Sequence, residues 1–240
     1  MSGDEDGDGW WNPEQAIWVG VRLRQQTSMP VVVVLEMQTP GPWLDGGFHG
    51  WLPVEHSNPT FDVIKAATLA GVHVVAAAGN GDVSLDDPRL GRRFDRTSRD
   101  SGAILVGGGV PGSRKRAARS NHGSRIDLQG WGEGVVTCGG LSPGYRDLVP
   151  PGNPTDSSRC YTCSFGGTSA ATAIVAGCVS AILGACLATN RRSPSPRELR
   201  ELLVRTGTPQ PDPDANSTPI GPLPNLRAAL RELGLNLPPG

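Results

Sequence analysis

The chain contains 240 residues and carries a formal net charge of −1, and 37% of its residues are hydrophobic. This length is sufficient for one α/β domain with a full core, and the composition gives no sign of a second domain. A net charge close to zero provides no electrostatic argument for nucleic acid or an anionic membrane as a partner. The 33 glycines and 22 prolines alternate with apolar runs, so they predict a folded protein with many loops.

Residues 1–12 are acidic and predict a flexible start rather than a metal site. Asp4, Asp6 and Asp8 copy the opening of a calcium loop, but the last position of that loop holds Gln15 in place of the bidentate glutamate. The segment has neither a basic region nor an apolar stretch, so no secretory signal peptide is recognised in this chain. The sequence therefore does not assign a compartment.

Helices and strands are predicted to alternate along residues 13–235, followed by a tail at residues 236–240. Asn12, Pro13 and Glu14 begin the first helix, because proline is well tolerated at the first helical position. The β-branched run at residues 31–35 is typical of a strand buried on both faces of a parallel sheet. Later strands are predicted at residues 72–78, 103–106, 126–129 and 135–138. Later helices are predicted at residues 58–71, from the Gly166-Gly167 turn to residue 190, at residues 196–204 and at residues 226–233.

This alternation predicts an α/β fold of three layers, in which a mostly parallel sheet carries helices on both faces. Residues 39–59, which are rich in Gly and Pro, are predicted to form one long loop. Asn80 follows the strand at residues 72–78, and open α/β sheets bind their ligands at the carboxyl ends of their strands.

The stretch from residue 164 to residue 190 contains no charged residue. Its apolar part, residues 170–189, is long enough to span a membrane. However, twelve of these twenty residues are Ala, Gly, Ser or Thr and only six are Ile, Leu or Val, which favours a tightly packed core helix. No membrane partner is therefore predicted.

Ser169 falls in the first turn of this helix, after Gly166 and Gly167. Free backbone N–H groups and the positive end of the helix dipole stabilise negative charge there, so Ser169 is a candidate nucleophile. The alternative is that Ser169 is only a helix cap, and composition alone favours that alternative.

A second motif favours the nucleophile. Residues 76–80 read Ala-Ala-Ala-Gly-Asn and residues 167–171 read Gly-Thr-Ser-Ala-Ala. Together they resemble the subtilisin-like serine peptidases of the subtilase (S8-type) family, and the similarity extends more loosely from Trp18 to Leu230. Ala173 departs from the family pattern, which usually has proline there.

The resemblance implies a serine endopeptidase that acts on peptides or proteins without a cofactor. By the same resemblance, Ser169 is the nucleophile and Asn80 donates a hydrogen bond to the oxyanion. The residues expected to line the substrate cleft, where an extended peptide adds as a strand, are Leu35, Glu36, Met37, Ala77, Ala78 and Gly79.

A serine nucleophile needs a histidine and a carboxylate, and the sequence offers no convincing pair. Asp100, His122 and Ser169 reproduce the family's order, but Asp100 precedes a strand instead of ending one and His122 is followed by a strand instead of a helix. Both also follow Asn80, whereas the family's Asp and His precede it. We therefore expect the carboxyl-terminal part of a catalytic domain that lacks its first strands and is completed by the missing amino-terminal part.

If so, the strand at residues 31–35 presents an unpaired edge. The alternative is a truncated or degenerate peptidase that is inactive and works as a peptide-binding or interaction module.

The remaining motifs predict no metal or nucleotide site. The five cysteines include one CxxC, Cys160 and Cys163, without a second pair that would complete a zinc site. A disulfide from Cys138 to either of them is an open alternative. The glycines at residues 107–112 satisfy GxGxxG, but Pro111 lies in the turn and no apolar helix follows.

Overall fold

A computed structural model describes residues 12–44, 47–139, 147–148, 158, 160–211 and 214–235. The predicted acidic start, except Asn12, and the tail at residues 236–240 lie outside the described residues. The helices are α1 (Pro13–Thr27), α2 (Asn58–Leu69), α3 (Gly167–Ala188), α4 (Pro196–Thr206), α5 (Asp214–Ser217) and α6 (Leu226–Glu232). The strands are β1 (Val32–Leu35), β2 (Gln38–Pro40), β3 (Trp43–Leu44), β4 (Gly47–Phe48), β5 (Trp51–Pro53), β6 (His73–Ala77), β7 (Ile104–Gly109), β8 (Leu128–Trp131), β9 (Val135–Cys138) and β10 (Tyr161–Phe165).

The central sheet has four parallel strands in the order β1-β6-β7-β8. Its register pairs Leu35 with Ala76 and Ala77 with Val106. All five residues of β6 are buried, as expected for a strand covered on both faces. In the part of the chain that the structure describes, β1 is an edge strand, and Val34 at this edge is 41% exposed.

Helices cover both faces of the sheet, which confirms the predicted three-layer α/β fold. Val74 and Ala76 of β6 face one core, to which α1 and α2 contribute Ile17 and Ile64. Val75 faces the other core. The helices α3, α4 and α6 contribute to this core the residues Val175, Val179, Ile182, Leu199, Leu203 and Leu230. Successive strand residues point to opposite faces, so β6 joins the two cores.

Local signals set the helix starts. The Asn12 side chain accepts a hydrogen bond from the Gln15 N–H at 2.9 Å and Pro13 is the first helical residue, as predicted. Ser195 and Glu198 form a capping box at the start of α4. The helix α3 begins after Gly166, as the Gly-Thr-Ser motif predicts.

Among the described residues, α3 is the one helix long and apolar enough to cross a membrane. It contacts all four strands of the central sheet, and Val175, Val179 and Ile182 are fully buried against them. This packing makes α3 a core helix of the domain.

One prediction about strands was wrong, and one predicted strand lies outside the central sheet. The stretch at residues 39–59 is not one loop, because β2 pairs antiparallel with β5 and β3 with β4. The strand at residues 135–138 does not join the central sheet but pairs antiparallel with β10. Strands of two or three residues, such as those from β2 to β5, give little period-two signal in the sequence.

Candidate active site

Ser169 lies in the first turn of α3, where it faces the carboxyl end of β1. Its hydroxyl donates a hydrogen bond to the Glu36 carbonyl oxygen at 3.2 Å. Glu36 is the first residue after β1, and partial burial raises the pKa of its carboxyl group. The candidate nucleophile and one end of the predicted cleft are therefore in contact.

Asn80 lies beyond the carboxyl end of β6, as predicted, and is held on two sides. Its Oδ1 accepts hydrogen bonds from the Thr168 backbone N–H at 2.9 Å and from the Thr168 hydroxyl at 3.2 Å. Its own backbone N–H donates to the Gln38 Oε1 atom at 2.9 Å. Because Oδ1 is used as an acceptor, the donor group of the amide, Nδ2, is turned away from the Thr168 N–H.

Two glycines allow the backbone around Asn80 to lie this close to α3. Gly79 has φ +91° and Gly167 has φ +81°, and this left-handed region favours glycine. A Cβ atom at Gly167 would lie 3.3 Å from both amide atoms of Asn80. The Gly79 N–H also donates to the Thr168 hydroxyl at 3.2 Å.

A cavity of about 580 Å³ adjoins Asn80. Backbone and small side chains form much of its wall, including Gly108, Gly132 and Gly167, and Arg119 and Glu133 line it with opposite charges. The cavity is large enough for an amino-acid side chain, and both charged residues are exposed at its rim.

The residues predicted to bind substrate occupy different environments. Glu36 is exposed and Met37 is half-buried, whereas the side chains of Leu35, Ala77 and Ala78 are buried in the cores. A Cβ atom at Gly79 would lie 2.6 Å from the Trp51 carbonyl oxygen, so β5 covers that side of Gly79. Substrate binding by these residues stays a prediction.

The structure does not bring Asp100, His122 and Ser169 together. Both Asp100 oxygens accept hydrogen bonds from the Arg200 guanidinium, and Asp100 lies just before β7, at the amino edge of the sheet. Burial alone would raise the pKa of Asp100, but the bonds from Arg200 and the Gly102 N–H lower it well below its usual range. Asn80 and Ser169 lie at the opposite, carboxyl edge.

The four histidines all contact other groups. His122 runs beside residues 83–85, and burial, together with Arg116, lowers its pKa. His73 begins β6, about 20 Å of extended chain from Asn80, and burial, together with Arg24, lowers its pKa to about 4. His49 lies 3.5 Å from Asp87, and His56 stacks near Phe94. No contact among the described residues joins a histidine to Ser169.

The cysteines do not form the disulfide from Cys138. Cys138 lies opposite Tyr161 across β9 and β10, which places the neighbouring Cys160 on the other face of the hairpin. Cys138 and Cys163 are exposed free thiols, and the Cys163 thiol donates to an Asp147 carboxylate oxygen at 2.7 Å.

Sequence reasoning missed three residues that hold Asn80 or its neighbours in the chain: Gln38, Thr168 and Asn121. Thr168 was visible inside the Gly-Thr-Ser motif, but its buried hydroxyl contacts Gly79, 89 positions away. Gln38 and Asn121 lie in segments predicted as loop or connection, and no local pattern links either of them to Asn80.

Comparisons with known proteins agree with this geometry. The model of the subtilase family of peptidases (S8) matches residues 52–221. Among solved structures, a cold-adapted subtilisin-like serine proteinase is similar, with 19% identity, a TM-score of 0.56 and coverage of 90% of this chain and 62% of that one. The patellamide maturation protease PatA has 17% identity and a TM-score of 0.61, over 93% of this chain and 69% of that one.

A lanthipeptide protease structure has 17% identity and a TM-score of 0.60, over 92% of this chain and 66% of that one. No curated protein matches the chain. The chain thus spans 62–69% of the length of these three solved structures. Because the family model covers most of the chain, and the fold agrees with that of subtilisin-like proteases, the chain belongs to the subtilase family.

Proposed function

We propose that this subtilase domain is a serine endopeptidase in which Ser169 attacks the peptide carbonyl and Asn80, with the Ser169 backbone N–H, binds the oxyanion. The observation that supports this most directly is the hydrogen bond from the Thr168 N–H to Asn80 Oδ1, at 2.9 Å. It holds the Asn80 amide beside the residue that precedes the nucleophile. A preorganised donor of this kind stabilises charge that develops in the transition state.

The position of Ser169 in its helix also favours a role as nucleophile. Ser169 lies at the amino end of a 22-residue helix, where the helix dipole lowers the energy of a developing negative charge. The peptide substrate lies across Glu36 and Met37, and the cavity beside Asn80 receives one of its side chains. Leu35, Ala77, Ala78 and Gly79 support this cleft from below, since all four are buried.

The reaction needs a proton acceptor for Ser169, and none of the four histidines contacts it. We infer that a further segment supplies the histidine and its carboxylate, either in the same polypeptide or in a separate one. The exposed edge of β1 ends at Leu35, and the next residue, Glu36, contacts Ser169. A strand that pairs parallel with this edge would bring its own carboxyl end close to the nucleophile.

The second candidate is an inactive peptidase that binds peptides. The Ser169 hydroxyl donates to a backbone carbonyl oxygen at 3.2 Å rather than to a base, and this favours the second candidate. A serine in this state keeps the high pKa and low reactivity of an ordinary alcohol.

Labelling with a fluorophosphonate probe separates the two candidates. The wild-type chain, Ser169→Ala and Ser180→Ala are compared by intact mass, since Ser180 is an exposed serine on the same helix. Labelling of wild type and Ser180→Ala, but not of Ser169→Ala, supports the peptidase.

The base is tested with His122→Ala and with a segment that carries the family's Asp and His. Labelling that rises when this segment is added supports the proposed completion of the site. If His122→Ala abolishes the labelling, His122 is the base and the proposal that a further segment completes the site is contradicted. If nothing labels with or without the segment, but an extended peptide binds, the chain is the binding module.

A further inference from the structure

Asn121 is a fully buried asparagine. Among the described residues, its side chain bonds to backbone groups on either side of Asn80 and on β5. Its Oδ1 accepts hydrogen bonds from the Gly81 N–H at 3.1 Å and the Val83 N–H at 2.9 Å. Its Nδ2 donates to the Ala78 carbonyl oxygen at 2.6 Å and to the Trp51 carbonyl oxygen at 2.7 Å. The amide thus uses both of its donors and both acceptor positions of its oxygen.

The backbone of Asn121 adds a further bond to the same region, because its N–H donates to the Gly79 carbonyl oxygen at 3.0 Å. We call residues 78–83 the Asn80 turn. Asn121 bonds to this turn both before Asn80, at Ala78 and Gly79, and after it, at Gly81 and Val83.

The shape of the Asn80 turn fits closely around this amide. Gly79 has φ +91° and Asp82 has φ +54°, so two residues of the turn lie in the left-handed region. A Cβ atom at Gly79 would lie 2.8 Å from the Asn121 Nδ2 atom, and one at Gly81 would lie 3.1 Å from its Oδ1 atom. The turn therefore has no side chains between its backbone and Asn121.

We propose that Asn121 is a positioning residue that fixes the Asn80 turn so that the Asn80 amide is presented to the oxyanion. Thr168 and Gln38 hold Asn80 itself, and Asn121 holds the backbone on each side of it. Without Asn121, four backbone groups at the turn and at β5 lose a buried partner. The catalytic part of this proposal rests on the proposed peptidase function, but the structural part does not.

The structural part is tested by NMR on the full chain. The Asn80 side-chain amide signals are assigned by their loss in Asn80→Ala. In Asn121→Ala these signals should shift or broaden, and the Gly81 and Val83 amides should exchange with solvent about tenfold faster or more. Unmoved Asn80 signals and unchanged exchange would overturn the proposal.

Gln210→Ala is the matched control. Gln210 is a buried side-chain amide that donates to the Thr218 carbonyl oxygen and accepts from the Ile220 N–H, away from Asn80. It should leave the Asn80 signals unchanged, and an equal effect in both variants would reduce Asn121 to a general stabilising residue. If Asn121→Ala does not fold, amide hydrogen exchange in the wild-type chain tests the proposal instead. Gly81 and Val83 should exchange as slowly as the sheet amide of Ala78, and rates as fast as that of exposed Gly112 overturn the proposal.

The catalytic part is tested by a double-mutant cycle in a preparation that hydrolyses peptides. Asn121→Ala should lower kcat by about 10- to 100-fold with little change in KM, because the oxyanion donor is displaced. If Asn121 acts through Asn80, the double variant should lose no more activity than Asn80→Ala alone. If the fold-losses in kcat of the two single variants multiply in the double variant, Asn121 does not act through Asn80. Absence of hydrolysis in every preparation would count against the proposed function, while the NMR result on the turn would still stand.

Discussion

Thr168 carries the contact on which the candidate oxyanion site depends, and its hydroxyl is fully buried. The Thr168 Oγ1 atom accepts a hydrogen bond from the Gly79 N–H at 3.2 Å and donates one to Asn80 Oδ1 at 3.2 Å. Thr168→Val keeps the shape of the side chain and removes both bonds. Thr and Val have similar helix propensities, so α3 itself should be unaffected.

The expected loss of stability follows from what each partner retains. Asn80 Oδ1 keeps the bond from the Thr168 backbone N–H, whereas the Gly79 N–H is left in a buried site facing a methyl group. Leaving one buried donor without a partner costs about 1–3 kcal/mol. We expect a decrease of about 2 kcal/mol in the free energy of unfolding, which lowers Tm by about 4–8 °C for a domain of this size.

Thr172→Val provides the control in urea and thermal unfolding. Thr172 is also fully buried on α3, but its hydroxyl donates only to the Thr168 carbonyl oxygen, one helical turn away. That oxygen lies inside the helix ladder and is not left unsatisfied, so the loss should be below about 1 kcal/mol. Equal losses in the two variants would refute the role assigned to Thr168 at the Asn80 turn.

Three further predictions concern the site and the core. Asn80→Ala in an active preparation should lower kcat by about two to three powers of ten with little change in KM, and a change confined to KM would make Asn80 a substrate-binding residue. His73 has a pKa of about 4 in the folded chain, against about 6.5 when unfolded. As the pH falls, the unfolded state therefore takes up a proton before the folded state does. The free energy of unfolding should drop by about 3 kcal/mol between pH 7 and pH 4. In urea titrations, His73→Gln should make this dependence on pH weaker. Arg125→Met removes the buried partner of Glu55 and Asp127 and should cost about 3–5 kcal/mol in urea unfolding, whereas Arg192→Met, at an exposed pair, should cause no measurable change.

Local sequence signals predicted the elements that carry the candidate site. Apart from His73, the run at residues 72–78 is apolar on both faces because β6 lies between two cores. Gly-Thr-Ser marks the start of α3 because φ +81° at Gly167 favours glycine. These signals arise from residues close together in the chain. They were sufficient to place Asn80 after the carboxyl end of a strand and Ser169 in the first turn of α3.

The partners of those two residues depend on packing between distant segments. Asn121 bonds to Ala78 across 43 positions, and Gln38 bonds to Asn80 across 42. The β2 and β5 strands that bring Gln38 and Trp51 to the turn have three residues each, too few for a strand period to stand out among prolines and glycines. A single sequence carries no record of such contacts.

Asp100 and His122 show how chain context limits an interpretation based on residue order. Asp100 precedes β7, and in a parallel sheet the residue before a strand and the residue after its neighbour lie at opposite edges. Its carboxylate, facing Arg200 at the amino edge, belongs to the ion pairs around Arg200, Asp127 and Arg125. In the sequence, the predicted strand follows Asp100 and does not precede it, and this order already indicated that Asp100 lies at the amino edge. The direction in which a strand runs therefore decides whether a carboxylate can serve a site at the carboxyl edge, whatever the order of Asp, His and Ser along the chain.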